Sequence, residues 1–241
     1  MEPHVHCHGA LWSPHTGMVN VHEFLYALLA DAHDATLALH TRVTDARVVD
    51  DDKLLHVCCN DSWITCRRVV NAAGLQADRV ARFFHDDLPF CHYFAKGHYF
   101  SYSGRPFSHL IYPVPEPGGL GIHATLSSSG TLFGPDVRWL DPEAVDLDYA
   151  PDPSRHAQFV QAIRSYYPDL EPERLHADYT GIRPKLWHPQ VQSTHNRPEL
   201  LDFCLWGPSQ HGVPGLVHLL GMESPGLTSS LAIAEYVADQ L

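Results

Sequence analysis

Apolar residues along this chain alternate between a helical and a strand period, and the changes of period divide it into segments. Val21, Leu25, Leu28, Leu29 and Ala32 recur at helical spacing, and Asn20 with Glu23 three residues on makes a capping-box-like start. "ATLALHTRV" then reads as a strand, a turn falls at Asp50-Asp51-Asp52, and "KLLHVCC" and "SWITCRRVV" read as two more strands. The last of these runs into "NAAG" and a short helix, "QADRVARFF". From about Pro89 to Leu140, "HYFSYS", "SHLIYPV" and "GGLGIHATL" are aromatic or β-branched runs divided by Gly, Pro and Ser, which predicts antiparallel strands. A helix is expected at about Pro153–Tyr167, and strand–turn units return in "ADYTGIRP", "LLDFCLW" and "PGLVHLLG". The chain closes on a helix from Gly226, with Leu227, Leu231, Ala234, Ala238 and Leu241 on one face.

This order predicts an α/β fold with a mostly antiparallel β insert. The expected units are residues 1–88, an insert over 89–176, and a return to the first domain over 177–241. The 241 residues are 44% hydrophobic and 18% charged, values that fit a folded core rather than a disordered chain. A formal charge of −12 speaks against a nucleic-acid surface, which needs clustered Lys and Arg. No apolar run approaches the roughly 18 residues of a membrane-spanning helix, and peripheral membrane association stays open. The N-terminus has no secretory-signal pattern. None of the six cysteines forms a C-x-x-C pair, so reduced thiols are expected rather than a disulfide framework.

Candidate chemistry falls at few positions. Among 19 histidines, His4, His6 and His8 in "HVHCH" share one face of an extended segment, but no H-E-x-x-H or C-x-x-C partner accompanies them, and no metal is expected. "NAAG" puts Ala72, Ala73 and Gly74 at a strand–helix turn, where small residues either admit a flat ligand or simply make a tight turn. Gly226, Leu227 and Thr228 precede the last helix, whose N-terminal end favours negative charge. Arg183 in "TGIRPKL" matches a carboxylate in two parallel hydrogen bonds, or pairs with an internal acid; Lys185 adds a second cation or is solvated. His123 stands in a Gly-rich strand, where a neutral imidazole suits proton abstraction, or serves as a hydrogen-bonded core residue. Tyr99 and Tyr112 are either packed rings or pocket walls.

Six of these segments in order, "ALWSPHTGMVNVHEF", "RRVVNAAGLQADRVA", "AKGHYFSYSGRPFSHLIYPVPEPGGLGIHATL", "FGPDVRWL", "GIRPKL" and "GMESPGLTSSLAIAEYVA", resemble the FAD-dependent oxidoreductases of the D-amino-acid-oxidase fold. Within that superfamily the chain is most similar to the L-2-hydroxyglutarate dehydrogenases and their bacterial relatives. The resemblance implies an FAD enzyme that oxidises a small 2-hydroxy acid and passes its electrons to a separate acceptor. It implies that Ala72, Ala73 and Gly74 lie against FAD, that Val43 meets the adenine side, and that Gly226, Leu227 and Thr228 face the flavin ring. In the same way it implies Arg183 as the carboxylate clamp, His123 as the base, and Tyr99 and Lys185 in the substrate pocket. His98 stands where the family often has Asn or Glu beside that tyrosine.

The family opens with a strand–turn–helix unit carrying G-x-G-x-x-G, and this chain has none. Its nearest match, "GGLGIHA", falls in the middle of the β insert. A fragment of such an enzyme is therefore expected, with FAD binding weak or absent in the chain by itself. An amino-acid or secondary-amine oxidase of the same fold, an inactive remnant acting as a binding module and, third, a His-rich metal-binding protein are the other readings. The resemblance implies a cytoplasmic place in a bacterium and a mitochondrial one in a eukaryote.

Overall fold

The computed structural model describes residues 2–49, 54–115, 121–128, 130–144, 146–189 and 202–241. The Asp50-Asp51-Asp52 turn and Gly118–Leu120 of the Gly-rich run lie outside them. The chain forms two compact units, one of residues 1–10 with 93–197 and one of residues 11–92 with 198–241. The division differs from the expected one at two places. The "HVHCH" stretch belongs with the insert, where the His6 N–H donates to the Tyr166 carbonyl (2.9 Å). The "TGIRPK" strand also stays in the insert rather than returning to the first domain, because it pairs along its whole length with a strand of the insert.

The insert unit is built around one antiparallel sheet. Its spine, β5 (Tyr93–Tyr102), pairs on one edge with β9 (Leu175–Lys185) and on the other with β7 (Gly130–Gly134) and β8 (Arg138–Trp139). β6 (His123–Ser127) extends the sheet beyond β7. "SHLIYPV" forms only a single bridge, Ile111 to Ala124, since Pro113 removes a ladder donor on which a longer strand would depend. On one face α3 (His156–Arg164) lays Phe159 and Ile163, four residues apart, onto Phe100, Tyr102, Phe133 and Leu175. The Phe100 and Phe159 rings approach to 4.3 Å between centroids.

The described residues of the second unit form two three-stranded sheets. β1 (Val43–Val49), β2 (Leu54–Cys59) and β3 (Ser62–Cys66) form an antiparallel meander. In the other sheet β11 (Leu216–Leu220) runs parallel to β4 (Val69–Asn71) and antiparallel to β10 (Cys204–Trp206). "SWITCRRVV" is thus two strands rather than one, and "ATLALHTRV" becomes strand only from Val43. After β4 comes a 3₁₀ turn, Gly74–Gln76, and the short α2 (Ala77–Ala81). α4 (Pro208–His211) and α5 (Ser230–Gln240) complete the unit. α5 begins four residues later than expected, because Gly226–Ser229 form turns instead.

The first helix, α1 (Val21–Asp31), is capped as the sequence implies: the Asn20 side chain accepts from the Glu23 N–H (3.3 Å). Its apolar stripe buries nothing, and Leu25 is 52% and Leu29 47% exposed. These two environments give opposite expectations for truncation. Phe159→Ala removes a fully buried ring and should cost about 3–5 kcal/mol. Leu25→Ala should change stability by less than about 0.5 kcal/mol. Urea unfolding followed by circular dichroism tests both.

Candidate active site

The register of β5 and β9 decides which side chains meet. Ala95 opposes Arg183 and Gly97 opposes Gly181, and then the pairing slips between His98 and Phe100. Across that slip Tyr99 faces two residues of β9, Asp178 and Tyr179, which is a β-bulge. The bulge turns Tyr179 onto Tyr99, and the two rings stack at 4.5 Å and 13°. Gly97 and Tyr99 share a face because strand side chains alternate. A methyl on Gly97 would sit 2.8 Å from Pro135 Cβ and 3.5 Å from Arg183 Nη1, so the glycine clears the path of the guanidinium.

His123 reaches the same group through β6. The Ile111–Ala124 bridge, with N–H to carbonyl bonds of 3.1 and 2.8 Å, sets Tyr112 next to His123, and the two rings stack at 4.3 Å and 14°. His123 opposes Gly134 on β7. With φ of +138°, Gly134 holds a conformation that other residues adopt only with strain, and a Cβ there would lie 2.9 Å from the Tyr99 ring. Tyr99, Tyr112, His123, Tyr179 and Arg183 therefore form one cluster. Tyr112 and Tyr179 are about half exposed, whereas His123 is buried. Lys185 stands at the far end of β9, opposite Tyr93.

The electrostatics of the cluster suit proton chemistry. Burial lowers the pKa of His123; the hydrogen bond to the Gly121 carbonyl opposes this, and the Arg183 cation adds to it. The His123 Nδ1 contact with that carbonyl (3.2 Å) puts the ring proton on Nδ1 and leaves the Nε2 lone pair as the basic site. Burial raises the pKa of Tyr99 against the opposing influence of Arg183, with Tyr112 adding to the rise. Tyr179 is pushed up to about 12 by burial, Tyr99 and Asp178. Among the described residues no carboxylate forms an ion pair with Arg183.

The second unit carries the small-residue turn. The buried Asn71 side chain braces it: Nδ2 donates to the Ala77 carbonyl (2.7 Å) and Oδ1 accepts from the Ala73 N–H (3.2 Å). Gly74 takes φ of +57°. Ala72, Gly74, Gly226 and Leu227 line one apolar cavity of about 580 Å³, floored by Val70 and Leu219. Ala73 and Thr228 are not part of its lining, and Val43 starts a strand of the separate β1–β3 sheet. Gly226, Leu227 and Thr228 are not the first turn of α5, as expected, but the turns before it. The Gly226 and Ser229 N–H groups are spent on the Glu223 and Pro225 carbonyls (2.5 and 3.0 Å). The residues present fit a flat, largely apolar ring lying against bare backbone. Among the described residues around this cavity there is no glycine-rich turn for a pyrophosphate.

Three groups escaped sequence reasoning. His98 points to the opposite face from Tyr99 and belongs to a strut: its N–H and Nδ1 contact Asp136 Oδ1 at 2.7 and 3.0 Å, and Asp136 Oδ2 accepts from Arg155 Nε. "FGPDVRWL" and "PSRHA" contribute the acid and the arginine, and nothing in their spacing announces the contact. Asn71 gives no signal beyond its place before two alanines. His85, His211 and His218 converge from three segments, and they are the group of metal-ligand type that converges among the described residues, rather than His4, His6 and His8.

The fold is that of known flavoenzymes. It matches L-α-glycerophosphate oxidase from Mycoplasma pneumoniae, solved with FAD bound, at a TM-score of 0.68 and 23% identity over 87% of this chain and 52% of that one. It matches glycine oxidase from Bacillus cereus at 0.64 and 17% identity, covering 89% and 52%. Residues 1–240 match the family of FAD dependent oxidoreductases, and the chain belongs to it. It is 38% identical over 289 aligned positions to the mitochondrial L-2-hydroxyglutarate dehydrogenase of Arabidopsis thaliana, an alignment covering 100% of this chain and 57% of that protein. The chain spans about half the length of the curated relatives it matches.

Asp136→Asn should destabilise the insert unit by about 3 kcal/mol, because it leaves Arg155 and the His98 backbone facing a neutral amide in a buried site. A downward shift of the unfolding midpoint in urea is the expected reading.

Proposed function

We propose that this chain carries the substrate site and part of the flavin site of an FAD-dependent oxidoreductase that converts a small 2-hydroxy acid, of the L-2-hydroxyglutarate kind, to the 2-oxo acid. One observation carries the reading. The Arg183 guanidinium, without a carboxylate partner among the described residues, shares a sheet face with Tyr99 and lies close enough to His123 to lower its pKa. Arg183 takes the substrate carboxylate in paired hydrogen bonds. His123 Nε2 removes the hydroxyl proton, which it can do because burial keeps the ring neutral. Tyr99, held protonated, donates a hydrogen bond into the same site. Lys185 adds positive charge at the end of the strand.

Ala72, Gly74, Gly226 and Leu227 would hold FAD at the apolar cavity they line, and Ala73, Thr228 and Val43 would be further cofactor contacts. Bound FAD supplies the hydride acceptor. The name of the Arabidopsis relative supports both the substrate class and, for a eukaryotic source, a mitochondrial place; in a bacterium the place is the cytoplasm.

Steady-state kinetics of the FAD-loaded enzyme test this. Arg183→Ala should raise KM for a 2-hydroxy acid by roughly 30-fold or more, with Arg183→Lys restoring only part, since an ammonium lacks the planar fork. An unchanged KM removes Arg183 from the site. His123→Ala should lower kcat by about 10²-fold or more. A base must be deprotonated to act, and the His123 pKa is lowered from 6.5. Activity should therefore persist as pH falls through 6.5, with the acid limb of kcat/KM below that value. Turnover of amino acids in place of hydroxy acids would shift the reading to an amine oxidase. The 241-residue chain alone should purify with less than stoichiometric flavin.

A further inference from the structure

His85, His211 and His218 meet within the unit of residues 11–92 and 198–241. Each comes from a different element. His85 follows α2, His211 ends α4, and His218 is the central residue of β11. One ring nitrogen of each lies within 4.8 Å of the other two, and the Nε2 atoms of His85 and His218 are 3.2 Å apart. Tetrahedral zinc, with Zn–N bonds of about 2.0–2.1 Å, requires ligand nitrogens roughly 3.3 Å from each other.

The surroundings favour lone pairs over protons. Trp206 packs against all three imidazoles, with centroids at 4.6, 4.9 and 5.6 Å from His85, His211 and His218, and Phe84 covers His218 at 5.9 Å. Among the described residues, no carboxylate pairs with any of the three. Burial lowers all three pKa values, that of His218 to about 3 with help from His85 and His211. Neutral imidazoles bind a metal without first expelling a charge-bearing proton.

We propose that His85, His211 and His218 form a three-histidine site for a divalent ion of the zinc or cobalt type, none of the three ligands being a residue assigned to the substrate or flavin sites. Imidazole donors suit such ions, and a fourth position falls to water. In the metal-free arrangement the nitrogens close a network. Asn71 Nδ2 donates to His218 Nδ1 (2.9 Å), so the His218 proton sits on Nε2 and points at His85 Nε2. His211 donates from Nε2 to the Leu216 carbonyl and accepts from the Val213 N–H at Nδ1, each at 3.1 Å. Ligation takes His85 Nε2 directly and His211 Nδ1 in place of the Val213 contact. It moves the His218 proton from Nε2 to Nδ1, and the Asn71 amide turns to accept it. The rings stay neutral, and no net proton is released.

The experiment is a titration of the purified chain with cobalt(II), then zinc(II), in the absence of FAD and substrate. One cobalt per chain with the visible d–d absorption of a tetrahedral ion, displaced by one equivalent of zinc, supports the proposal. His211→Ala and His85→Ala should each weaken binding by more than roughly 10-fold. A His4→Ala, His6→Ala double variant should bind as the parent does. X-ray absorption at the zinc edge of the unmutated protein, which needs no variant to fold, should count three imidazoles. The proposal is overturned by absence of the cobalt spectrum, by binding that survives loss of His85 and His211, or by binding that disappears with His4 and His6. None of these readouts depends on turnover, so they stand apart from the 2-hydroxy-acid reading.

Discussion

The pairing of β5 with β9 is the contact on which the substrate cluster depends. Arg183 and Tyr99 come from segments about eighty residues apart in the chain, and only the antiparallel register brings them to one face. A slip of one residue would send every side chain of β9 to the other side of the sheet, because the strand period is two. Bulky cores normally pin such a register. Here Phe100, Tyr102 and Leu175 do so from the helix side, packed against Phe159 and Ile163, while the site face stays comparatively open. The sheet thus divides its labour: one surface holds the geometry and the other uses it.

Two glycines on that sheet carry a burden that side chains could not. Gly97 leaves room for Arg183 to lie along the strand, and Gly134 lets the Tyr99 ring settle against β7 opposite His123. The bulge beside Tyr99 gathers a second tyrosine without disturbing the pairing on either side of it. These are backbone devices, and each acts by absence of bulk or by one extra residue.

Much of this was readable from residue order. Two of the three aromatic and β-branched runs of the insert became strands, and the small-residue turn after "RRVV" was followed by a helix; Arg183, His123 and Tyr99, grouped only by the family resemblance, lie in one cluster. What stayed hidden was whatever depends on contacts between distant segments. "TGIRPK" joined the insert through a ladder with β5 that no local period reveals. Asp136 and Arg155 found His98 across a sheet–helix packing, and each looks like an ordinary surface charge in sequence. "HVHCH" drew attention by density, whereas the histidines that converge are single residues in "FFHDD", "SQHGV" and "LVHLL". α1 shows the converse case. Its stripe and its cap follow from spacing, but spacing says nothing of whether a surface exists for the stripe to cover.

Asn71 shows how economically this chain shares its polar atoms. A single amide spans the Ala73 N–H, the Ala77 carbonyl and the His218 ring. It behaves as a rocker with one pivot. Any event that rotates it for the sake of the histidines also lets go of the turn that carries Ala72 and Gly74, and any ligand that stiffens that turn holds the His218 proton where it is. Two regions of the second unit are therefore geared together through one side chain.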